Sequence, residues 1–187
     1  MITFKRMSVD DPDFSKFYRL YKSAFPECER LPLKYLINDK SDTETMACYD
    51  DGVFIGLYSA VRSLDIWNIL FIAVDESMRD HGYGSKILSL IKENHRDCRI
   101  MLDIEQPVKS ASNYQQRLKR KAFYERNGFH DTPVFYKWRR VPYEMLVTGG
   151  KLSVNDFDSY WMNLDPERRH GLGDCYDNRE IADFLYN

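Results

Sequence analysis

Residues 72–88 read IAVDESMRDHGYGSKIL. The first three close a nearly all-apolar run, Trp67 to Val74, of the kind expected of a central strand covered on both faces. A short turn then delivers Arg79-Asp80-His81-Gly82-Tyr83-Gly84 to a helix predicted from Ser85 to about Asn94, with Ile87, Leu88 and Ile91 inward. Closely spaced glycines let the chain turn tightly and remove the Cβ atoms that would block a ligand. The first free amides of the helix then face an anion, and a phosphate above all. Arg79 and Lys86 add positive charge. Gly82 and Gly84 alone would make only a turn and a helix start; the strand before, the helix after and Arg79 three residues ahead turn the junction into an anion site. It is not a P-loop, for no GxxxxGK followed by Ser or Thr occurs. Nor is it a dinucleotide fingerprint, which follows the first strand of its fold.

Outward from this junction the chain alternates in type. Ile2 to Val9 is β-prone. Asp10 or Asp11 can cap the next helix with Pro12 in its first turn, and Phe14, Phe17, Tyr21, Ala24 and Phe25 recur at helical spacing before Pro26 stops it. A shorter helix is predicted from Pro32 to Asn38, with Leu33, Leu36 and Ile37 inward. Thr45 to Tyr49, the turn Asp50-Asp51-Gly52, and Val53 to Leu64 read as a hairpin. Beyond the junction, Ile100 to Ile104 is a strand whose alternation puts Met101, Asp103 and Glu105 on one face. A polar loop, 106–116, precedes a helix ending at Asn127-Gly128. Val134 to Trp138 and Tyr143 to Val147 are two further strands. The order β, α, α, β, β, β, α, β, α, β, β is that of an α+β protein with a mixed sheet.

The 187 residues suffice for one well-filled domain, burying roughly 70% of the unfolded chain's surface. Residues 1–147 are taken as that domain and 148–187 as a packed extension. The extension holds 8 acidic and 4 basic side chains but also Leu152, Phe157, Tyr160, Trp161, Leu164, Phe184 and Leu185, too apolar for a disordered tail. Twenty-seven Lys and Arg against 29 Asp and Glu give a net charge of −2, which disfavours nonspecific nucleic-acid binding. No apolar run approaches the roughly 20 residues that span a bilayer, and the amino terminus has no secretory apolar segment, so no membrane partner and a cytoplasmic protein are expected. Cys28, Cys48, Cys98 and Cys175 form no CxxC pair and have no histidine at ligand spacing, so four separate thiols and no metal are expected.

Residues 79–84 match the Arg/Gln-x-x-Gly-x-Gly/Ala signature of the GCN5-related N-acetyltransferase (GNAT) family, and Ala122-Phe-Tyr-Glu-Arg-Asn-Gly-Phe129 resembles its later helix-to-strand segment. The resemblance covers about residues 2–147. It implies a mostly antiparallel sheet flanked by helices, with a splayed pair of parallel central strands, here Phe71 to Val74 and Leu102 to Glu105. It implies acetyl-CoA as co-substrate, its pyrophosphate on Arg79, Asp80, His81, Gly82, Tyr83, Gly84, Ser85 and Lys86. The pantetheine would pair with the strand at Ile72 and Val74, whose amides could also stabilise an oxyanion. Tyr124 would be the general acid toward the departing thiolate, unless it serves only packing. For the base, Glu105 leads, with Glu27 or Glu29 as alternatives, and bulk water could replace all three.

The leading expectation is an N-acetyltransferase that moves acetyl from acetyl-CoA to a primary amine of a small molecule by direct attack on the thioester. A protein or peptide acceptor and a non-catalytic acyl-CoA-binding module are the alternatives. His81 fills a variable slot of the signature, facing solvent or phosphate; His95 ends a helix, where a partly charged imidazole suits the terminal carbonyls; His130 and His170 have no recognisable partner. Phe25, Tyr35, Tyr58, Phe135, Tyr136, Trp138 and Tyr143 are divided between core and acceptor cleft. Monomer and homodimer are both open.

Overall fold

The computed structural model describes residues 1–27, 29–138 and 141–165; Cys28, His170, Cys175, Phe184, Leu185 and the side chain of Trp138 lie outside the described set. Strands β1 (Ile2–Arg6), β2 (Thr43–Asp50), β3 (Val53–Ser63), β4 (Ile66–Val74), β5 (Arg99–Glu105), β6 (His130–Trp138) and β7 (Val141–Thr148) form a seven-stranded sheet in the order β1-β2-β3-β4-β5-β7-β6. It is mostly antiparallel, with one parallel pair, β4 and β5. Helices α1 (Phe14–Ala24), α2 (Leu33–Leu36), α3 (Tyr83–Asn94), α4 (Tyr114–Arg126) and α5 (Val154–Met162) complete the α+β fold. Two compact units divide the chain: 1–62 with 68–94, and 63–67 with the residues from 95 onward. No helix among the described residues is long and apolar enough to cross a membrane.

In the first unit, the Asp-Asp-Gly turn folds as its sequence demands. Asp51 (φ 47°) and Gly52 (φ 80°) both sit in the left-handed region, as a two-residue type I′ hairpin requires. Four residues on, β3 carries one residue more than β2: Cys48 pairs with Gly56 but Tyr49 with Phe54, so Ile55 is a bulge. The Ile55 carbonyl is thereby released to accept from the Asp75 amide at 2.9 Å, which pins the end of β4. Gly56 is the tight point of this contact, because a Cβ there would sit on the Ala73 carbonyl oxygen.

Helix α1 begins at Phe14, two residues after Pro12, and neither Asp10 nor Asp11 caps it. Asp11 instead accepts from the Asp13 amide at 2.9 Å. The cap position falls to Asp13, whose carboxylate is drawn off by the Tyr49 hydroxyl at 2.9 Å and Lys16 at 2.7 Å. Phe17, Leu20 and Tyr21 are the buried face, each contributing about 1.5–3 kcal/mol of burial; Phe14, Ala24 and Phe25 are only half-buried. Tyr21 also acts as a clasp. Its hydroxyl accepts from the Leu31 amide at 2.8 Å and donates to the Leu31 carbonyl at 3.2 Å, closing the loop that follows α1. Only Leu36 of the short second helix is buried.

In the second unit, β6 starts at His130, earlier than the predicted Val134. Pro133 cannot join a ladder, and the register slips between Asp131 and Phe135 to accommodate it. The Thr132 hydroxyl bridges the gap, donating to the Met145 carbonyl at 2.9 Å and accepting from the Val134 amide at 3.1 Å. After β7, α5 is capped reciprocally by Ser153 and Asp156, and Leu152, Phe157, Tyr160 and Leu164 are buried. Arg99 fastens this segment to the start of β5. It grips both Asp65 oxygens at 2.8 Å and reaches the Lys151 carbonyl at 2.8 Å and Asp156 at 3.1 Å.

Candidate active site

The glycine junction belongs to the first unit. After β4, Asp75 caps a single 3-10 turn at Glu76–Met78, its carboxylate accepting from the Ser77 amide at 3.0 Å and the Ser77 hydroxyl at 2.6 Å. Arg79 is extended, while Asp80 (φ 65°) and Gly82 (φ 73°) are left-handed. His81 bridges the Arg79 carbonyl through Nδ1 at 2.6 Å, which folds the loop on itself. Helix α3 starts at Tyr83, two residues earlier than predicted, so Tyr83, Gly84 and Ser85 form its first turn. The first helical bond of the turn is from the Lys86 amide to the Gly82 carbonyl at 3.2 Å. The amides ahead of it have no intrahelical acceptor, by helix geometry.

These residues fit a phosphorylated coenzyme. A Cβ built on Gly82 meets nothing within 4 Å. Space beside the loop is therefore open where an anion would sit, and the glycine answers to the backbone angle, not to a neighbour. Arg79 is exposed, its guanidinium only 3.9 Å from Glu76 at closest, and Lys86 is exposed. Ile72 and Val74, at the end of β4, are half-buried where the rest of that strand is mostly buried. Gly82→Ala should then cost only about 1–2 kcal/mol of stability, the left-handed penalty of an L-residue. It should also weaken acetyl-CoA binding, tenfold or more by calorimetric titration, because the methyl enters the open space.

The second unit holds Tyr124 and Glu105. Tyr124 is buried, 9% exposed, and its place is set by the helix stop. Gly128 (φ 83°) is left-handed; the Phe129 amide bonds the Tyr124 carbonyl at 3.1 Å and the Gly128 amide bonds Glu125 at 3.0 Å. This is a Schellman motif, with the apolar contact that accompanies it: the Tyr124 and Phe129 rings meet edge-on at 5.7 Å. Burial pushes the Tyr124 phenol up to about 12, with Arg120 opposing and Asp103 reinforcing the shift.

Glu105 is fully engaged. Its Oε1 takes Arg117 at 2.7 Å, and Oε2 takes Arg120 at 3.2 Å and Asn113 at 3.3 Å. Arg117 is itself buried and donates to the Gln106 carbonyl at 2.9 Å, so the cluster anchors the loop after β5. Asp103 differs. Burial raises its carboxyl, against a hydrogen bond from Tyr136 and the charge of Arg120. Tyr136 in turn stacks on Tyr143 at 5.5 Å and Phe157 at 6.3 Å. The alternation along β5 does not divide core from solvent, since Met101, Leu102 and Ile104 are all buried.

The remaining candidates play other parts. Glu27 and Glu29 lie in the loop that Tyr21 clasps, in successive turns from Pro26 to Arg30. His95 packs on Trp67 at 4.4 Å. Cys48 is buried, which drives its thiol far above the usual range, and among the described residues Cys48 and Cys98 are free thiols. Among those residues no cluster of His, Cys, Asp or Glu is placed to hold a metal ion.

Residues 41–131, which include the junction, β5 and Tyr124, match the family model "Acetyltransferase (GNAT) domain". Over that span the chain matches a GNAT acetyltransferase domain. The reaction of this domain is acyl-CoA-dependent N-acetyl transfer, with acetyl-CoA as the co-substrate. Solved structures agree on the fold. A putative GNAT acetyltransferase from Bacteroides thetaiotaomicron superposes with a TM-score of 0.70 at 21% identity, covering 91% of this chain and 96% of that one. The ribosomal-protein-S18-alanine N-acetyltransferase of Escherichia coli gives 0.60 at 16% identity, over 82% and 96%. An aminoglycoside 6'-N-acetyltransferase complexed with coenzyme A gives 0.59 at 14% identity, over 78% and 96%. No curated protein matches by sequence. In this GNAT domain, the residue that sequence reasoning passed over is Asp103. Its place on the same strand face as Glu105 was the available signal; its Tyr136 partner was not legible locally.

Proposed function

We propose that the protein acetylates a primary amine of a small molecule, the amine attacking the thioester of acetyl-CoA directly. Residues 79–86 receive the pyrophosphate, and the backbone at Ile72 and Val74 receives the pantetheine and the developing oxyanion. As the carbonyl carbon bonds to nitrogen and the carbon–sulfur bond breaks, Tyr124 gives its proton to the departing sulfur. Burial keeps that phenol protonated at working pH. We assign the amine's proton to Asp103, not Glu105. Both Glu105 oxygens are already taken up by Arg117, Arg120 and Asn113, whereas burial raises the Asp103 carboxyl toward the range where a base works. Glu105 then holds the loop through Arg117 and Arg120. Residues 1–147 are the catalytic domain in this reading, with 148–165 the described part of its extension.

The observation that carries the acceptor class is the pairing of the Asp103 carboxyl with Tyr136 of the Tyr143–Tyr136–Phe157 stack. A carboxylate backed by aromatic rings suits a compact ammonium. The test is thiol release from acetyl-CoA with small primary amines, an amino-terminal peptide and a lysine peptide. Turnover with the small amines is expected. Turnover of peptides alone would replace this acceptor with a protein, and coenzyme binding without any turnover would make the domain a binding module.

Asp103→Asn separates chemistry from folding. The expected loss in kcat is about 10²-fold or more. Because the folded-state carboxyl is raised, its stabilising contribution is full below the unfolded value and is lost as pH rises through the folded one. The neutral variant escapes that loss. Its melting temperature should therefore gain on the parent's as pH climbs above the ordinary carboxylate range, measured by thermal denaturation from pH 4 to 8.

A further inference from the structure

Tyr83 occupies a slot of the signature where the backbone alone is needed, yet its side chain is tied down. Its hydroxyl donates to Asp50 Oδ2 at 3.0 Å. Asp50 ends β2 at the hairpin, and its other oxygen accepts from the Met1 amino group at 2.9 Å, so the carboxylate is held from both sides. The bond to Asp50 also raises the Tyr83 phenol. Lys86, three residues on and on the same helix face, places its Nζ 5.0 Å from the Tyr83 ring centroid. A carboxylate, a phenol and an ammonium thus run in series from a rigid hairpin to the first turn of α3.

An exposed lysine loses rotamer entropy when a ligand fixes it. A ring already under the ammonium removes part of that loss before binding. We propose that Asp50 and Tyr83 are positioning residues for the coenzyme, holding Lys86 as a fixed counter-charge to its pyrophosphate. This rests on the assignment of residues 79–86 to acetyl-CoA. The tether adds what the backbone amides cannot: a monopole whose place is set from outside the loop.

Calorimetric titration of acetyl-CoA at low and high ionic strength, on the parent, Tyr83→Phe, Tyr83→Leu, Lys86→Gln and Tyr83→Leu/Lys86→Gln, tests it. Lys86→Gln should weaken binding about three- to tenfold and flatten its salt dependence. Tyr83→Leu should do the same, and the double variant should bind no worse than either single one. Tyr83→Phe, which keeps the ring and loses the tether, should fall between parent and Tyr83→Leu. In turnover, KM for acetyl-CoA should rise with kcat unchanged. Losses that multiply in the double variant, or an unchanged salt slope in Tyr83→Leu, would overturn the lysine's dependence on the ring. Parent-like binding by Tyr83→Phe would remove Asp50 from the device. A parent that binds no acetyl-CoA would instead overturn the coenzyme site itself, a result distinct from all of these.

Discussion

Tyr124→Phe is expected to lower kcat by about 10²- to 10⁴-fold, the usual worth of a positioned acid, with acetyl-CoA affinity and melting temperature close to the parent's. The substitution removes one oxygen and leaves the ring, which is what packs against Phe123 at 5.2 Å and Phe129 at 5.7 Å. The Schellman bonds at the end of α4 use the Tyr124 carbonyl, not its hydroxyl, and survive unchanged. Since burial sets the phenol at about 12, it stays protonated through neutral and mildly alkaline pH. Any alkaline loss of rate below pH 10 must then belong to another group. Thiol-release kinetics beside calorimetric titration would check the split. A variant with parent-like kcat would assign Tyr124 to packing alone.

Gly56→Ala should be the most damaging single methyl in the first unit. The added carbon would overlap the Ala73 carbonyl oxygen and come within 3.3 Å of Val74 Cα. Both neighbours are backbone, so no side chain can swing aside, and either β3 and β4 part or the Ala73 peptide rotates. Overpacking of this kind costs about 1–3 kcal/mol, and a backbone obstacle puts it toward the upper end. At 2–4 °C per kcal/mol, the melting temperature should fall by roughly 5–10 °C. The strand end that moves is the one assigned to the pantetheine, so acetyl-CoA affinity should fall as well. Thermal denaturation and titration read the two effects separately. A parent-like melting temperature would mean that the bulge at Ile55 absorbs the methyl.

The elements were legible wherever a local device fixed them. Gly52 and Gly128 take the left-handed angles that their hairpin and helix stop demand. The glycine signature led to the junction, and the alternation of element types led to the α+β sheet. Boundaries failed where side chains were recruited from a distance: Asp13 is claimed by Tyr49, far along the chain, so α1 has no side-chain cap. The same limit governs the site. Glu105 looked like a free acid because nothing near it in sequence announces Arg117 and Arg120. Asp103 looked like its equal because period two ranks residues by face and says nothing of the partners each will meet. Tyr83 was read as part of the pyrophosphate cradle and nothing more, for the partner of its hydroxyl is Asp50, 33 residues earlier.

The Tyr21 clasp has an evolutionary reading. A phenol that both gives to and takes from Leu31 does for the loop what a neighbouring strand would do, but from a single fixed point. The ends of the loop are therefore set by α1 and by one oxygen, whatever lies between Pro26 and Arg30. Residues there can be exchanged, inserted or deleted without renegotiating the sheet. If Glu27 and Glu29 border the acceptor, the protein can change what it acetylates by editing a hinged label, while the machinery that holds the acetyl donor stays as it is.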